Sequence, residues 1–329
     1  MRDEGRQPFA NAYRRPPAIS FREGPPCLLL TDNNDMDVSV IYVNWNCSDE
    51  ILASIASLRQ RSGTRSYEVI VVDNNSPGGV GALADCESIR LVRNRENRGF
   101  GAGCNLGARH ATGKYLLFLN PDTRFLNDVL GELVQFLDAH SSAGLAGPLV
   151  EDEAGKVLFE GGRSLPTLFN EFLQHSTLSF RFPQGVWTSR PYLSRWDHLS
   201  TREVETVLGA CMLVRSDVFR RVGGFDETFF LYSEDLDLCC RVRKAGHEIW
   251  YVHTARLVHK ERQSTIQMFG SVGRIVLQNM RSQHYYFRKH HGALKAFLWR
   301  HIIAGLYLLR YLRSRDRLHL EYARWAITA

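Results

Sequence analysis

Lys114-Tyr115-Leu116-Leu117-Phe118-Leu119-Asn120-Pro121-Asp122 is the stretch from which this 329-residue chain is best read. Five apolar residues run without interruption and then stop at three that are polar or rigid. A short continuous apolar run bounded by turn residues predicts a strand covered on both faces. Pro121 cannot continue such a strand. In open α/β sheets, ligands bind beyond the carboxyl ends of the strands, which is where Asp122 falls. The competing reading makes Asn-Pro-Asp a turn that leads into a helix over about 126–140, with Asp122 or Thr123 near its cap.

Upstream, the same grammar repeats. Residues 38–43 (V-S-V-I-Y-V) predict a first strand, 44–47 its exit loop, and 49–60 a helix with Ile51, Leu52, Ile55 and Leu58 on one face. Residues 68–72 predict a second strand that ends in D-N-N-S-P-G at 73–78, a dense turn signal. Residues 89–92 predict a third, followed by a polar loop and a helix over about 103–111. Alternating strands and helices imply a parallel sheet with right-handed crossovers. Asp73, Asp122, the loop from Asn44 and the loop from Asn97 to Asn105 then share one end of that sheet, where one cleft could hold one ligand. The glycine-rich run R-G-F-G-A-G-C-N-L-G at 98–107 fails the spacing of a dinucleotide fingerprint. Gly99 and its neighbours either bring backbone N–H groups to a phosphate or permit close packing of helix on sheet.

Downstream, 144–150 and 157–159 predict short strands, and 161–203 is irregular, a lid or a packing insert. Residues 204–208 and 211–214 predict strands, and Ser216 begins a short helix stopped by Gly223-Gly224. Aromatic residues then lead into acids at 225–238, F-D-E-T-F-F-L-Y-S-E-D-L-D-L, with a helix over about 233–245. Acids at a helix start favour its dipole, which explains one carboxylate better than three. Asp235, in the first turn, is placed to face a cleft; Asp237, four residues before Arg241, reads as a surface ion pair. Residues 249–252 predict another strand, and an apolar run at 256–258 ends in His259.

A formal charge of +6 and a pI near 9.0 suit an anionic partner without choosing among nucleotide, nucleic acid and acidic lipid. Seven cysteines with no zinc-like spacing read as reduced thiols. Residues 1–36 have the composition of a flexible leader. No export signal and no uninterrupted apolar span of about 18 residues is read, so the chain is expected in the cytoplasm without a spanning helix. From 263 to 329 aromatic and aliphatic residues alternate with arginine and lysine. The run over 293–317 predicts a basic amphipathic helix, lying at the inner face of the membrane or packed on the core or on a second subunit.

A substrate whose leaving group is a nucleoside diphosphate would use these residues together. Manganese or magnesium takes few protein ligands, so Asp122 with His259 would suffice, and Asp235 would be the base for an acceptor hydroxyl. The chain resembles the family 2 glycosyltransferases of GT-A fold, and within them the bacterial rhamnosyltransferase-like branch. The residues that carry the resemblance are V-S-V-I-Y-V-N-W-N at 38–46, V-I-V-V-D-N-N-S at 69–76, N-R-G-F-G-A-G-C-N-L-G at 97–107, L-N-P-D-T at 119–123, G-G-F-D-E at 223–227 and F-L-Y-S-E-D-L-D-L-C at 230–239. It implies a catalytic domain over 37–262, with a nucleotide-binding half to 150 and an acceptor half beyond. It further implies that Asn44, Asp73, Asn97, Gly99, Asn105, Asn120 and Asp122 bind the nucleotide sugar, that Asp122 and His259 hold metal, and that Asp235 is the base with Glu234 assisting at the acceptor. dTDP-rhamnose is the implied donor, and a glycan or lipid-linked sugar the acceptor. Asn120 stands where the family's first D-x-D acid stands, which removes one charge from the site. A nucleotidyltransferase of similar fold and a basic nucleic-acid-binding protein are the alternatives; the second leaves Asp122 and the acidic helix start without work.

Overall fold

A computed structural model describes residues 36–260 and 268–328; the expected leader, but for residue 36, lies outside them. The sheet begins with β1 (Val38–Asn44), α1 (Ser48–Arg61), β2 (Tyr67–Asp73), β3 (Arg90–Arg93), α2 (Phe100–Arg109) and β4 (Tyr115–Leu119). The strands β3, β2, β1 and β4 lie side by side and parallel, with Asn44 registered on Asp73 and Tyr42 on Leu119. Their carboxyl ends therefore share one edge.

Alternate side chains of these strands enter different cores. Val40, Tyr42, Leu117 and Leu119 pack with Ile51, Ile55 and Leu58 of α1 and with Leu133 and Leu137 of α3 (Val129–Ala139). Ile41, Val43, Leu116 and Phe118 pack on the other side with Cys104 of α2, Phe219 of α6 (Ser216–Arg221) and Leu238 of α7 (Glu234–Lys244). A strand buried on both faces must be apolar throughout, which is why 115–119 reads as it does.

The second half extends the same sheet. Antiparallel β10 (Cys211–Arg215) pairs with β4 on one side and β6 (Ala143–Glu151) on the other. The long β11 (Glu248–His259) lies beside β6, crosses a register shift after Val252, and pairs its end with β5 (Thr123–Phe125), registering His259 on Thr123. The segments expected over 249–252 and 256–258 are thus one strand, and the turn after Asp122 forms a strand before the helix begins. Within the irregular segment lie β7 (Gly162–Arg163), α4 (Leu168–His175), α5 (Leu178–Arg181), β8 (Arg202–Val204) and β9 (Thr206–Val207).

The C-terminal region is α8 (Val272–Ser314), bent at Gly292, and α9 (Arg317–Thr328). Met280, Tyr286, Phe287, Trp299, Ile303 and Tyr307 of α8 form a third core with Phe229, Leu236 and Cys240. Contrary to the expectation from sequence, α8 is long and apolar enough to cross a membrane by length and composition, though most of that stretch is exposed. Its inner face is committed to protein: Trp299 donates to Glu171, Arg300 to the carbonyls of Ala326 and Ile327, and Arg310 to that of His175.

Asp237 corrects a reading from sequence. It is fully buried, not at the surface, and its carboxylate meets Arg241 at 2.7 Å, Lys289 at 2.6 Å and His290 at 2.7 Å. Spacing along α7 revealed Arg241; the two partners from α8 are too distant in sequence to be seen. Asp226 joins the cluster, binding Lys289 at 2.7 Å and Tyr285 at 3.0 Å. The C-terminal helices are in this way bolted to the helix that begins with Glu234 and Asp235.

Candidate active site

A cleft of about 350 Å³ opens beyond the carboxyl ends of β1, β2 and β4. Asp122, Asn120, His259, Glu234, Asp235, Asn97 and Gly99 all line it. The antiparallel pairing of β11 with β5 delivers His259 to Asp122, with Nε2 3.2 Å from Oδ1 and both side chains about nine-tenths buried. The Asn120 amide lies 3.3 Å from the same Nε2, and the buried Nδ1 of His259 has no partner. Nε2 has a single site: it either donates an N–H to the Asp122 oxygen or turns its one lone pair to the Asn120 amide or to a cation shared with that carboxylate. Among the described residues no group of three or more His, Cys, Asp or Glu side chains could cage a metal. Two donors nevertheless fit a divalent ion that draws its other ligands from phosphate and water.

On the facing wall, α7 starts abruptly. Tyr232 and Ser233 both have left-handed backbones, φ 69° and 65°, so the chain turns sharply before Glu234. Such conformations are costly for non-glycine residues and cluster at functional sites. Asp235 Oδ2 accepts from the Gly209 N–H at 3.1 Å and Oδ1 from the Leu236 N–H at 2.8 Å. Gly209 is tightly packed: a Cβ there would lie 3.0 Å from the Cβ of Asp235 and press on that side chain. Glu234 is buried with Oε2 unpartnered, and burial, reinforced by the neighbouring Asp235 carboxylate, pushes its pKa up to about 8. At neutral pH one acid of this pair keeps its proton, the division expected where acid and base roles are split.

The glycine loop joins the two walls. Gly99 has φ 96°, a Cβ on it would fall 2.1 Å from the Phe230 carbonyl oxygen, and the Phe100 N–H donates to that oxygen at 3.0 Å. Asn97 accepts from Asn74 Nδ2 at 2.8 Å, and Asn74 also donates to the Gly99 carbonyl at 3.0 Å.

Three predicted residues sit behind the lining. Asn44 and Asp73 are buried and bound to each other at 2.9 Å, with Ser76 Oγ donating to Asp73 at 2.6 Å, so they fix the two exit loops from beneath. Asn105 points to the G-G-F-D-E loop: its amide donates to the Phe225 carbonyl and accepts from the Phe225 N–H, at 2.8 and 2.9 Å. Its place in the glycine-rich text gave no hint of that partner, 120 residues away. The lining also holds Trp45, Asn74, Arg163, Gln174, Asn279 and Gln283, which sequence reasoning did not single out. Trp45 and Asn74 adjoin predicted residues and were within reach; the others carry no motif.

A parallel half-sheet with a polar edge, extended by antiparallel β10, and an acidic helix start across the cleft define a glycosyltransferase of GT-A fold. The family model for Glycosyl transferase family 2 matches residues 39–223, and the chain belongs to that family. It is 30% identical over 241 residues to the N-acetylglucosaminyl-diphospho-decaprenol L-rhamnosyltransferase of Mycobacterium tuberculosis, covering 69% of this chain and 76% of the relative. It is also 30% identical over 183 residues to the rhamnosyltransferase WbbL of Escherichia coli, covering 54% of this chain and 66% of that one. The fold matches the mannosyltransferase PcManGT of Pyrobaculum calidifontis, solved with GDP-Man and Mn2+, at TM-score 0.53 and 16% identity over 88% of this chain and 73% of that one. The crystal structure of GalNAc-T7 with UDP, GalNAc and Mn2+ matches at TM-score 0.53 and 15% identity over 69% of this chain and 44% of that one. The chain is thus a hexosyl-transferring enzyme of the rhamnosyltransferase-like branch.

Proposed function

We propose that this enzyme transfers rhamnose from dTDP-rhamnose, with inversion, to a hydroxyl of a lipid-linked sugar during cell-surface glycan synthesis. The observation that carries this reading is the convergence of Asp122, His259, Glu234 and Asp235 on one cleft. The nucleotide lies along Trp45, Asn74 and Asn97 to Phe100, over the loops that Asn44 and Asp73 hold in place. Asp122 and His259 would hold Mn2+ or Mg2+, a reading supported by the Mn2+ in the two solved structures of similar fold. When bound, such an ion would offset negative charge growing on the departing diphosphate.

Asp235 takes the proton from the acceptor hydroxyl as that oxygen approaches the sugar carbon from the face opposite the diphosphate. Its two N–H partners, from Gly209 and Leu236, fix its orientation. Glu234, protonated, donates to the acceptor and leaves the local charge on Asp235. The named activities of the relatives from Mycobacterium tuberculosis and Escherichia coli support the donor and, for the former, a diphospho-lipid acceptor.

The protein works in the cytoplasm at the inner face of the membrane. Leu294, Leu298, Leu308 and Leu312 are exposed on α8, in step with a 3.5-residue repeat, and Arg313, Arg315 and Arg317 follow. An apolar stripe ending in basic residues suits an anionic bilayer surface. A panel of nucleotide sugars incubated with manganese and a membrane lipid extract tests the reading. Release of dTDP from dTDP-rhamnose, dependent on both additions, is the expected result; release of rhamnose 1-phosphate instead would indicate nucleotidyl transfer.

A further inference from the structure

Arg163 is the one lysine or arginine among the described residues that line the cleft. Its guanidinium makes no hydrogen bond or ion pair with any described residue. Beside it, Gln174 of α4 and Asn279 and Gln283 of α8 also bring side chains to the lining. Gln283 is only 7% exposed, and its buried Oε1 has no partner. Leaving a buried amide without partners is costly, so such a group in a cleft wall points to a ligand that meets it.

These groups reach the cleft from the second half of the chain. β7 places Arg163 beside β9 through the pairing of Arg163 with Thr206, and β9 leads to Gly209, whose N–H donates to Asp235. The nucleotide wall, in contrast, is built from the exits of β1, β2 and β4. The helices that supply the amides are apolar on their outer sides: α4 exposes Phe169 and Phe172, and α8 exposes Leu294 and Leu298. A guanidinium with amides around it, on helices that expose apolar side chains elsewhere along their length, matches a molecule with an anionic oxygen-rich head and an apolar tail.

We infer that Arg163, with Gln174, Asn279 and Gln283, forms an acceptor subsite that recognises the phosphate oxygens joining an acceptor sugar to its lipid. The subsite deepens the transfer reading above and rests on it. Arg163 holds the phosphate, the Gln283 amide donates to a sugar or phosphate oxygen, and together they set the reacting hydroxyl against Asp235. No bond is made or broken at this subsite. The donor diphosphate carries the same chemistry and is the competing occupant.

Tryptophan fluorescence titration of the full chain, saturated with dTDP and manganese, separates the two. The probes are decyl diphosphate below its micelle threshold and the neutral decyl glucoside. The wild type is expected to bind decyl diphosphate more tightly than decyl glucoside. Arg163→Gln should weaken the first at least tenfold and leave both decyl glucoside and dTDP affinities within about twofold, with Arg163→Lys intermediate. An unchanged decyl diphosphate affinity in Arg163→Gln overturns the inference, as does a comparable loss of dTDP affinity, which would assign Arg163 to the donor. Should the wild type not bind dTDP, the donor reading fails by itself, and the same titration without nucleotide still decides the subsite.

Discussion

A carboxylic acid sealed from water keeps its proton to higher pH than one in solution. Glu234 does so because it is buried beside a second carboxylate. Between the ordinary carboxylate range and about pH 8 the folded chain therefore binds a proton at this site that the unfolded chain has lost. By linkage, this group's contribution to stability is fully present below the ordinary range and is lost as pH rises towards 8. Glu234→Gln should flatten that dependence, making the variant more resistant to urea than the wild type at pH 8.5 but not at pH 5. Equal midpoint differences at both pH values would show that Glu234 titrates normally.

At this scale the sequence showed Asp122, His259, Glu234 and Asp235 because each stands where an apolar run or an aromatic cluster gives way to polar text. Arg163 and Gln283 had no such frame. Their meaning depends on which groups fail to find partners, and that is decided by folding. Asn105 shows the converse: its glycine-rich surroundings drew attention to the nucleotide, while its amide ties α2 to the loop before α7.

Among the elements, α7 joins chemistry to architecture. Its first turn carries Glu234 and Asp235, and two residues further Asp237 is clamped by Arg241, Lys289 and His290. Burial works against ionising Asp237, but the bonds from His290 and Arg241 prevail and hold its carboxyl below the usual range. Removing it leaves Arg241 and His290 without their acid while Lys289 keeps Asp226, and breaking a buried ion pair costs about 3–5 kcal/mol. Asp237→Ala should lower stability by roughly 3 kcal/mol, read from urea denaturation. It should also reduce turnover of the folded fraction, because the helix start that aims Asp235 loses its support. A loss below about 0.5 kcal/mol would mean that the apolar core of α8 alone docks the C-terminal region.

Helix and strand order up to β4 followed from apolar periodicity, since local pattern dictates it. The insertion of β10 into the sheet, the union of two expected strands in β11 and the docking of α8 are long-range pairings that no window of sequence contains.

For the whole molecule, one sheet carries both halves of the cleft, and the C-terminal helices close its far side with Asn279 and Gln283. Their outer face presents the leucine stripe. Replacing Leu308 and Leu312 together by glutamate removes apolar burial and adds negative charge, so binding to phosphatidylglycerol vesicles should fall at least about tenfold. Vesicle sedimentation measures it. Unchanged sedimentation, with a shift from dimer to monomer on gel filtration, would show that the stripe covers a second copy.

The central claim is that Asp235 removes the acceptor proton in the cleft where Asp122 and His259 receive the donor. Steady-state release of dTDP by Asp235→Asn, measured beside dTDP affinity, tests it most directly. A fall in kcat of about 10³-fold with dTDP affinity held within about threefold is the expected result. Full turnover by Asp235→Asn, or a defect confined to nucleotide binding, would contradict it.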